Sequence, residues 1–278
     1  MKPTHVKKLL LSTVQSVTHN VSDYVNNAAT DFTRTRKLPF QTIIKAVISM
    51  ESKSLTNELI DVFPDVASLP SASAFVQQRQ KIKPEAFADI FYEFTAGLVK
   101  DTSEDLVMFA VDGSDIQIPT NPDDIASYHP GTNGQKPYNL LHLNALYNIE
   151  NHLYADVVIQ GKMNANEHSA LTEMVDRSTI HKALVIADRG YESYNNMAHI
   201  QEKGWYFLIR IKDGKNGIKN GLDLPKDGAF DEEISLMLTR RQTKEIKPLL
   251  KDKNNYRFIP STTVFDYLKT NHRKHDPV

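Results

Sequence analysis

The chain has 278 residues, 40% hydrophobic and 24% charged, with a net charge of −1 and no cysteine. That length supports a sizeable core and two domains, and the composition is ordinary for a soluble globular protein. The lack of cysteine excludes disulfides, thiolate zinc sites and cysteine nucleophiles, and it fits a reducing compartment. Lys2, Lys7 and Lys8 precede only three leucines, Leu9 to Leu11. This is too short for a signal-peptide core, and no later stretch approaches a membrane span. Charge is uneven along the chain: residues 1–100 carry +3, residues 101–200 carry −9 and residues 201–278 carry +5. An acidic middle between basic ends suits a metal-binding centre flanked by polyanion-binding arms. An unevenly charged solvated surface explains the same numbers.

Residues 3–30 read as a helix that weakens into Asn26-Asn27. Pro39 opens a second helix, with Phe40, Ile43, Ile44, Val47 and Ile48 on one face. A third carries Leu55, Leu59, Val62 and Phe63 on one side and stops at Pro64. A fourth runs from Ala72 to Lys83, with Phe75, Val76, Arg79 and Ile82 facing inward and Gln77, Gln78 and Lys81 facing out. Gln reaches base edges and Lys reaches phosphates, so this outer face is a candidate DNA surface. Spacing alone favours a plain amphipathic helix. Pro84 restarts a helix whose stripe of Phe87, Ile90, Phe91, Phe94 and Leu98 reads as core. Residues 1–100 are therefore expected to form an all-helical, DNA-binding domain.

At residue 106 the period changes. Leu106 to Val111 is a continuous apolar run, as in a buried central strand, and it ends in Asp112-Gly113-Ser114-Asp115, read as a turn. Residues 116–138 read as loop. Two alternating runs, Leu141 to Asn148 and Leu153 to Ile159, joined at Glu150-Asn151, form a hairpin. A helix over 167–177 leads to a second apolar strand, Ala183 to Ala187, ended by Asp188 and followed by Arg189-Gly190-Tyr191. A helix over 193–203 stops at Gly204, and a third buried strand covers 206–211. Beyond Lys212 the pattern degrades. Short strands are expected at 230–234 and 256–259, and the chain ends with no closing helix. The order predicts an α/β unit over 101–212, a mixed sheet flanked by helices, and residues 213–278 read as a stretch cut in the middle of a domain.

Two strands that each end in an aspartate can set carboxylates side by side, which is how a hard divalent cation is gripped. With no His or Cys cluster beside them, they favour Mg²⁺ or Mn²⁺ over zinc. Two such cations about 4 Å apart serve phosphodiester chemistry. Strand-end aspartates are also common as turn formers and helix caps, and for a lone one that is the better reading. There is no Walker loop, dinucleotide fingerprint, serine elbow or His-Glu-x-x-His. His142 and His181 read as structural or exposed residues.

The stretches FAVDGSDIQIPTNPDD, YNLLHLNALYNIENHLYADVVIQ and VIADRGYESYNNMAHIQEKGWYFLIRIKD resemble the core of bacterial DDE-type transposases, with insertion-sequence family four as the nearest group. SASAFVQQRQKIKPEAFADIFYEF is similar to the helical segment preceding that core, so the resemblance covers roughly residues 35–215. It implies a ribonuclease-H-like fold in which Asp112 and Asp188 are catalytic and hold Mg²⁺, with Mn²⁺ as a substitute. Asp115 rivals Asp112 for the first position, and Asp112 is preferred because it directly ends the strand. Arg189 and Tyr191, in the second motif, are expected to contact DNA near the metals. The implied activity is cleavage and transfer of DNA strands at transposon ends. The implied partners are double-stranded DNA (terminal inverted repeats and target) and a second copy in a homodimer, in the bacterial cytoplasm and nucleoid.

The family's third carboxylate lies in a Tyr-x₂-Arg-x₃-Glu-x₆-Lys pattern. After Glu202 the only glutamates are Glu232, Glu233 and Glu245, and none has those neighbours. The family carries a β-rich insertion between the second Asp and that Glu, and residues 213–278 look like its incomplete beginning, so the expectation is a chain that stops before the catalytic Glu and is inactive or nearly so alone. The alternatives are a non-catalytic DNA-binding remnant or inhibitor using Gln77, Gln78 and Lys81, and a stand-alone nuclease with a third acid from within the chain.

Overall fold

The computed structural model describes residues 2–268 except 35–36, 64, 66, 99–105, 133, 215–216 and 226. The chain separates into two compact units, Met1–Lys100 and Asp101–Val278. The helix stop expected at Pro64 and the residues around the expected 100/101 boundary lie outside the described residues, as does the tail after Leu268. Among the described residues no helix is long and apolar enough to cross a membrane.

The first unit holds five helices: α1 (Pro3–His19), α2 (Phe40–Ser49), α3 (Leu55–Val62), α4 (Ala72–Arg79) and α5 (Glu85–Leu98). α1 ends eleven residues before the expected Thr30, because the chain turns through a short 3₁₀ segment at Val21–Tyr24. Val25 then bridges to Ile82, and that pairing carries the chain across the unit. Val14, Ile43, Ile44, Leu59, Phe75 and Ile90 meet in one core, so most of the apolar residues read from spacing face inward, whereas Ile48 is 40% exposed. Ser71 caps α4, its Oγ accepting from Ala74 N at 3.2 Å. Glu58 is buried at the start of α3, where its Oε1 accepts from the backbone N of Glu51 and Lys53 at 2.8 and 2.7 Å. α4 stops at Arg79, short of the expected Lys83, and Arg79 itself is exposed rather than inward.

The second unit is an α/β structure with a mixed sheet flanked by helices. β1 (Val107–Ile118) lies at the centre, antiparallel to β3 (Tyr138–Asn148) and parallel to β5 (Ala183–Ala187). β6 (Tyr206–Ile209) adds in parallel beyond β5, while β2 (Tyr128–His129) and β4 (Leu153–Gly161) pair with the outer edge of β3. α6 (Glu167–Arg177) and α7 (Tyr194–Glu202) pack together. Their Leu171, Met174, Val175 and Ile200 meet Phe109, Val111, Leu146 and Val185 of the sheet. That face is the core of the unit. The alternate residues of β6, Tyr206 and Leu208, are 57% and 60% exposed on the opposite face.

The expected hairpin forms with its turn held by Asn148, whose Oδ1 accepts from Glu150 N and Asn151 N at 3.0 and 3.1 Å. The expected turn after Asp112 does not form. β1 runs on to Ile118, because β3 continues to pair with it through Asn139, even though β5 ends at Ala187 opposite Val111. Beyond the sheet, β7 (Met237–Thr239) and β8 (Tyr256–Phe258) make a two-stranded parallel pair, with a one-turn helix α8 (Ile246–Leu249) between them. The strand expected at 230–234 is absent. Three consecutive acids, Asp231 to Glu233, give no alternating face to bury, and these residues are exposed. The guanidinium of Arg240 ties this region together by donating to the carbonyls of Pro260, Thr263, Phe265 and Leu268.

Candidate active site

The parallel register brings the two strand-end aspartates together. Val111 of β1 pairs with Ala187 of β5, so Asp112 and Asp188 follow the last paired residues of adjacent strands. Both are exposed at the carboxyl edge of the parallel sheet. Asp112 Oδ1 accepts from Gly113 N at 2.9 Å. Asp188 Oδ1 accepts from Gly190 N at 2.6 Å and caps the short turn Arg189–Tyr191. Each aspartate thus engages the backbone next to it with one oxygen, within the strand at Asp112 and as a turn cap at Asp188.

Asp115 sits three residues further along β1, directly across from His142 of β3. Its Oδ1 accepts from His142 Nδ1 at 2.6 Å and meets the Lys162 ammonium at 2.8 Å. The Lys162 hydrogen bond, then that of His142, holds the Asp115 carboxyl below the usual range. Asp115 is committed to this pair and lies past the end of β5.

His142 is buried, 4% exposed, and its Nε2 stands 3.2 Å from Glu167 Oε1. Among the described residues Nε2 makes no hydrogen bond. Glu167 is the first residue of α6, where a carboxylate complements the helix dipole. Sequence reading passed over Glu167 and Lys162, and took His142 for a structural or exposed residue. The two glycines show how tightly Glu167 fits. A Cβ on Gly113 would lie 2.9 Å from Glu167 Oε1 and 2.7 Å from His142 Nε2. A Cβ on Gly190 would lie 2.8 Å from Asp188 Oδ1 and 3.5 Å from Glu167 Oε2. A side chain on the strand residue Gly113 would collide with Glu167 and His142, and one on Gly190, in the turn after β5, would collide with the Asp188 carboxylate.

Tyr191 is 1% exposed, with its ring in the sheet–helix core. Among the described residues its hydroxyl has no hydrogen-bond partner. Burial pushes the phenol up, and the charges of Glu167, Asp112 and Asp188 push it further. Sequence reading expected Tyr191 on a DNA-facing surface; the structure puts it beneath the acids, because its side chain fills the core under the Asp188 turn. Arg189, by contrast, is exposed. Glu192 is a structural acid: it accepts from Lys212 N at 2.6 Å and from Ile218 N, pinning the segment after β6.

The other expected site residues lie in the first unit. Gln77 is exposed on α4, while Gln78 and Lys81 are half-buried and line a polar cleft with Arg34. The Lys81 ammonium lies 3.8 Å from Asp31.

Hard carboxylate oxygens at neighbouring strand ends suit Mg²⁺ or Mn²⁺. Among the described residues, no three acids or histidines converge closely enough to chelate a cation in this arrangement. The mixed sheet, its flanking helices and the paired acids are together consistent with a ribonuclease-H-like transposase domain. Residues 104–270 match the transposase DDE domain family, and the chain belongs to it. No curated protein and no solved structure matches the chain.

Proposed function

We propose that the second unit is the strand-cleaving and strand-transfer core of an insertion-sequence transposase of family four, with Asp112 and Asp188 as its two catalytic aspartates. The observation that carries this reading is the register: Asp112 and Asp188 follow directly on the paired residues Val111 and Ala187. Asp112 is preferred over Asp115 because Asp115 is already engaged by Lys162 and His142. When bound, Mg²⁺ or Mn²⁺ would supply Lewis-acid stabilisation of the phosphodiester oxygens and a nucleophile at neutral pH. The chain's own part is to hold the carboxylates at fixed spacing on a rigid sheet edge. Arg189, exposed beside Asp188, offers a guanidinium to a phosphate.

The DNA partner is double-stranded, with the terminal repeats read through the helical unit, where Gln77, Gln78 and Lys81 remain the proposed contacts. A homodimer on paired ends completes the reading. No Tyr-x₂-Arg-x₃-Glu-x₆-Lys pattern occurs among the 278 residues. The reading therefore gives this chain alone weak or no cleavage.

The test is a nicking and strand-transfer assay in Mg²⁺ and Mn²⁺, on DNA carrying the chromosomal sequence that flanks the gene. The expected outcome is binding to the flanking repeats with near-background cleavage. Any residual cleavage is lost in Asp112→Asn and Asp188→Asn. Robust cleavage by the purified chain would refute the incomplete-site reading, and cleavage indifferent to both aspartates would refute the assignment itself. That no three acids converge among the described residues favours one second reading, a non-catalytic DNA-binding product. Repeat-specific binding with no divalent-cation affinity would establish it.

A further inference from the structure

We propose that the polar cleft between the 29–38 loop and the end of α4 is a clamp for one phosphodiester of the DNA backbone, closed by Arg34 and Lys81. The inference rests on the reading of the helical unit as the part that binds the repeats. It adds Arg34 to that surface and divides the α4 residues by role: Lys81 and Gln78 hold the backbone, and Gln77 reaches the bases.

Three observations carry it. The first is the chemistry of the cleft. It has a volume of about 290 Å³, and its polar side chains are those of Thr30, Thr33, Arg34, Gln78 and Lys81. All five are types that donate hydrogen bonds, and no acid is among the described residues that line it. Two cations among neutral donors suit an anion with several acceptor oxygens. Phe32 and Leu38 complete the wall, which suits the sugar carbons on either side of a phosphate. The recess also selects the part of DNA that enters. Gln78 and Lys81 are half-buried, while Gln77 is exposed. A recessed donor meets a phosphate that protrudes from the duplex, and an exposed one reaches a base edge within a groove.

The second observation is where the cations of this region are committed. The Lys37 ammonium donates to the Ala67 carbonyl at 2.6 Å, and that of Lys83 to the Asp23 carbonyl at 3.0 Å. Lys81 has only Asp31 at 3.8 Å, and Asp31 already accepts from Asn27 N at 3.0 Å. The Lys81 charge is therefore weakly compensated. The third is rigidity. Asn26 fastens the start of the loop to the end of α4, its backbone N donating to the Lys81 carbonyl at 2.9 Å and its Nδ2 to the Gln80 carbonyl at 2.8 Å. Phe32 holds a φ of +54° with its ring edge-on to Phe40, centroids 5.5 Å apart. A bulky residue keeps that conformation only where packing fixes it. The two sides of the cleft are thus set before DNA arrives, which lowers the ordering cost of binding.

The experiment measures binding of the full chain by fluorescence anisotropy over a salt series, on a duplex carrying the flanking repeat and on a scrambled duplex. It compares the unaltered protein with Arg34→Ala, Lys81→Ala, Gln77→Ala and, as a control for loss of charge, Lys53→Ala, whose ammonium pairs with Asp61 at 2.7 Å. Melting midpoints are recorded, and Arg34→Gln or Lys81→Gln replaces any alanine variant that is destabilised. Arg34 and Lys81 variants are expected to weaken binding to both duplexes by the same factor and to make the slope of log affinity against log salt shallower by about one each. Gln77→Ala is expected to weaken binding to the repeat alone, and Lys53→Ala to change neither. An unchanged slope in either folded clamp variant, or a loss confined to the repeat, overturns the clamp while leaving the helical unit as a DNA binder. Inorganic phosphate that displaces the duplex at constant ionic strength, and no longer does so in Arg34→Ala, assigns the cleft to free phosphate and also overturns it. No DNA binding by the unaltered chain overturns the underlying reading and this inference with it.

Discussion

Tyr191→Phe isolates one atom in the middle of the site. The ring is fully packed, 1% exposed, and among the described residues the hydroxyl has no hydrogen-bond partner. A buried polar group left unsatisfied costs about 1–3 kcal/mol. Phenylalanine keeps the ring and its core contacts while removing that cost. The substitution should therefore stabilise the chain by about 1 kcal/mol or more. For a unit of this size that corresponds to a rise of about 2–4 °C in the melting midpoint per kcal/mol. Calorimetry in a chelating buffer reads this directly. The burial of Tyr191 adds a second arm, in which affinity for duplex DNA is unchanged. A fall in the midpoint of similar size would show that the hydroxyl is satisfied. A marked loss of DNA affinity with the fold intact would return Tyr191 to the DNA-facing role that the sequence suggested.

The two faces of the sheet should respond differently to truncation. Leu171→Ala, at a fully buried position under the sheet, is expected to cost about 2–5 kcal/mol in urea unfolding, whereas Leu208→Ala, 60% exposed, should change stability by no more than about 0.5 kcal/mol. Equal costs would mean that the open face is covered. His199 of α7 sits between Asp176 and Asp266, with nitrogen–oxygen distances of 2.8 and 2.9 Å. Burial opposes its charged form, but hydrogen bonds to Asp176 and Asp266 outweigh it and raise the imidazole above its ordinary 6.5. A raised histidine stabilises fully below the unfolded value and loses that contribution as pH rises through the folded one. The hold of α7 on the Asp266 segment should therefore weaken as pH rises above 6.5 through the raised folded-state value. A histidine titration by NMR checks this: Asp266→Asn should bring His199 down, and an unmoved midpoint would refute the pairing.

Much of the sheet was legible because its two central strands are buried and its hairpin alternates; the third strand, expected buried over 206–211, is β6 over Tyr206–Ile209, with alternate residues exposed. Val107 to Val111 and Ala183 to Ala187 are apolar runs with acids at their ends, and these runs alone placed Asp112 and Asp188 on the same edge. The extension of β1 to Ile118 was not legible. Gly113-Ser114-Asp115 has the composition of a turn, and only the long partner β3 keeps it extended. This is tertiary pairing overriding local preference. Glu167 was illegible for a related reason. Its place over Gly113 and Gly190 depends on how β4 returns α6 to the sheet edge, and nothing in the local spacing encodes that return. His142 reads in sequence as one polar residue in an alternating strand. Its burial and its pairing with Asp115 follow from the register alone. In the helical unit the inward faces of α2 and α5 followed from periodicity. The end of α4 did not, because the Val25–Ile82 bridge draws the chain out of helix after Arg79.

The central claim is that Asp112 and Asp188 bind one divalent-cation centre, and locating a cation on the backbone tests it most directly. Fe²⁺ is exchanged into the full chain, ascorbate and peroxide are added, and the peptides cut by locally generated hydroxyl radicals are identified by mass spectrometry. The account predicts cuts next to Asp112 and around Asp188 to Gly190. Excess Mg²⁺ should suppress them, and Asp112→Asn/Asp188→Asn should abolish them. Cuts elsewhere, or cuts at these positions that persist in the double variant, would contradict it.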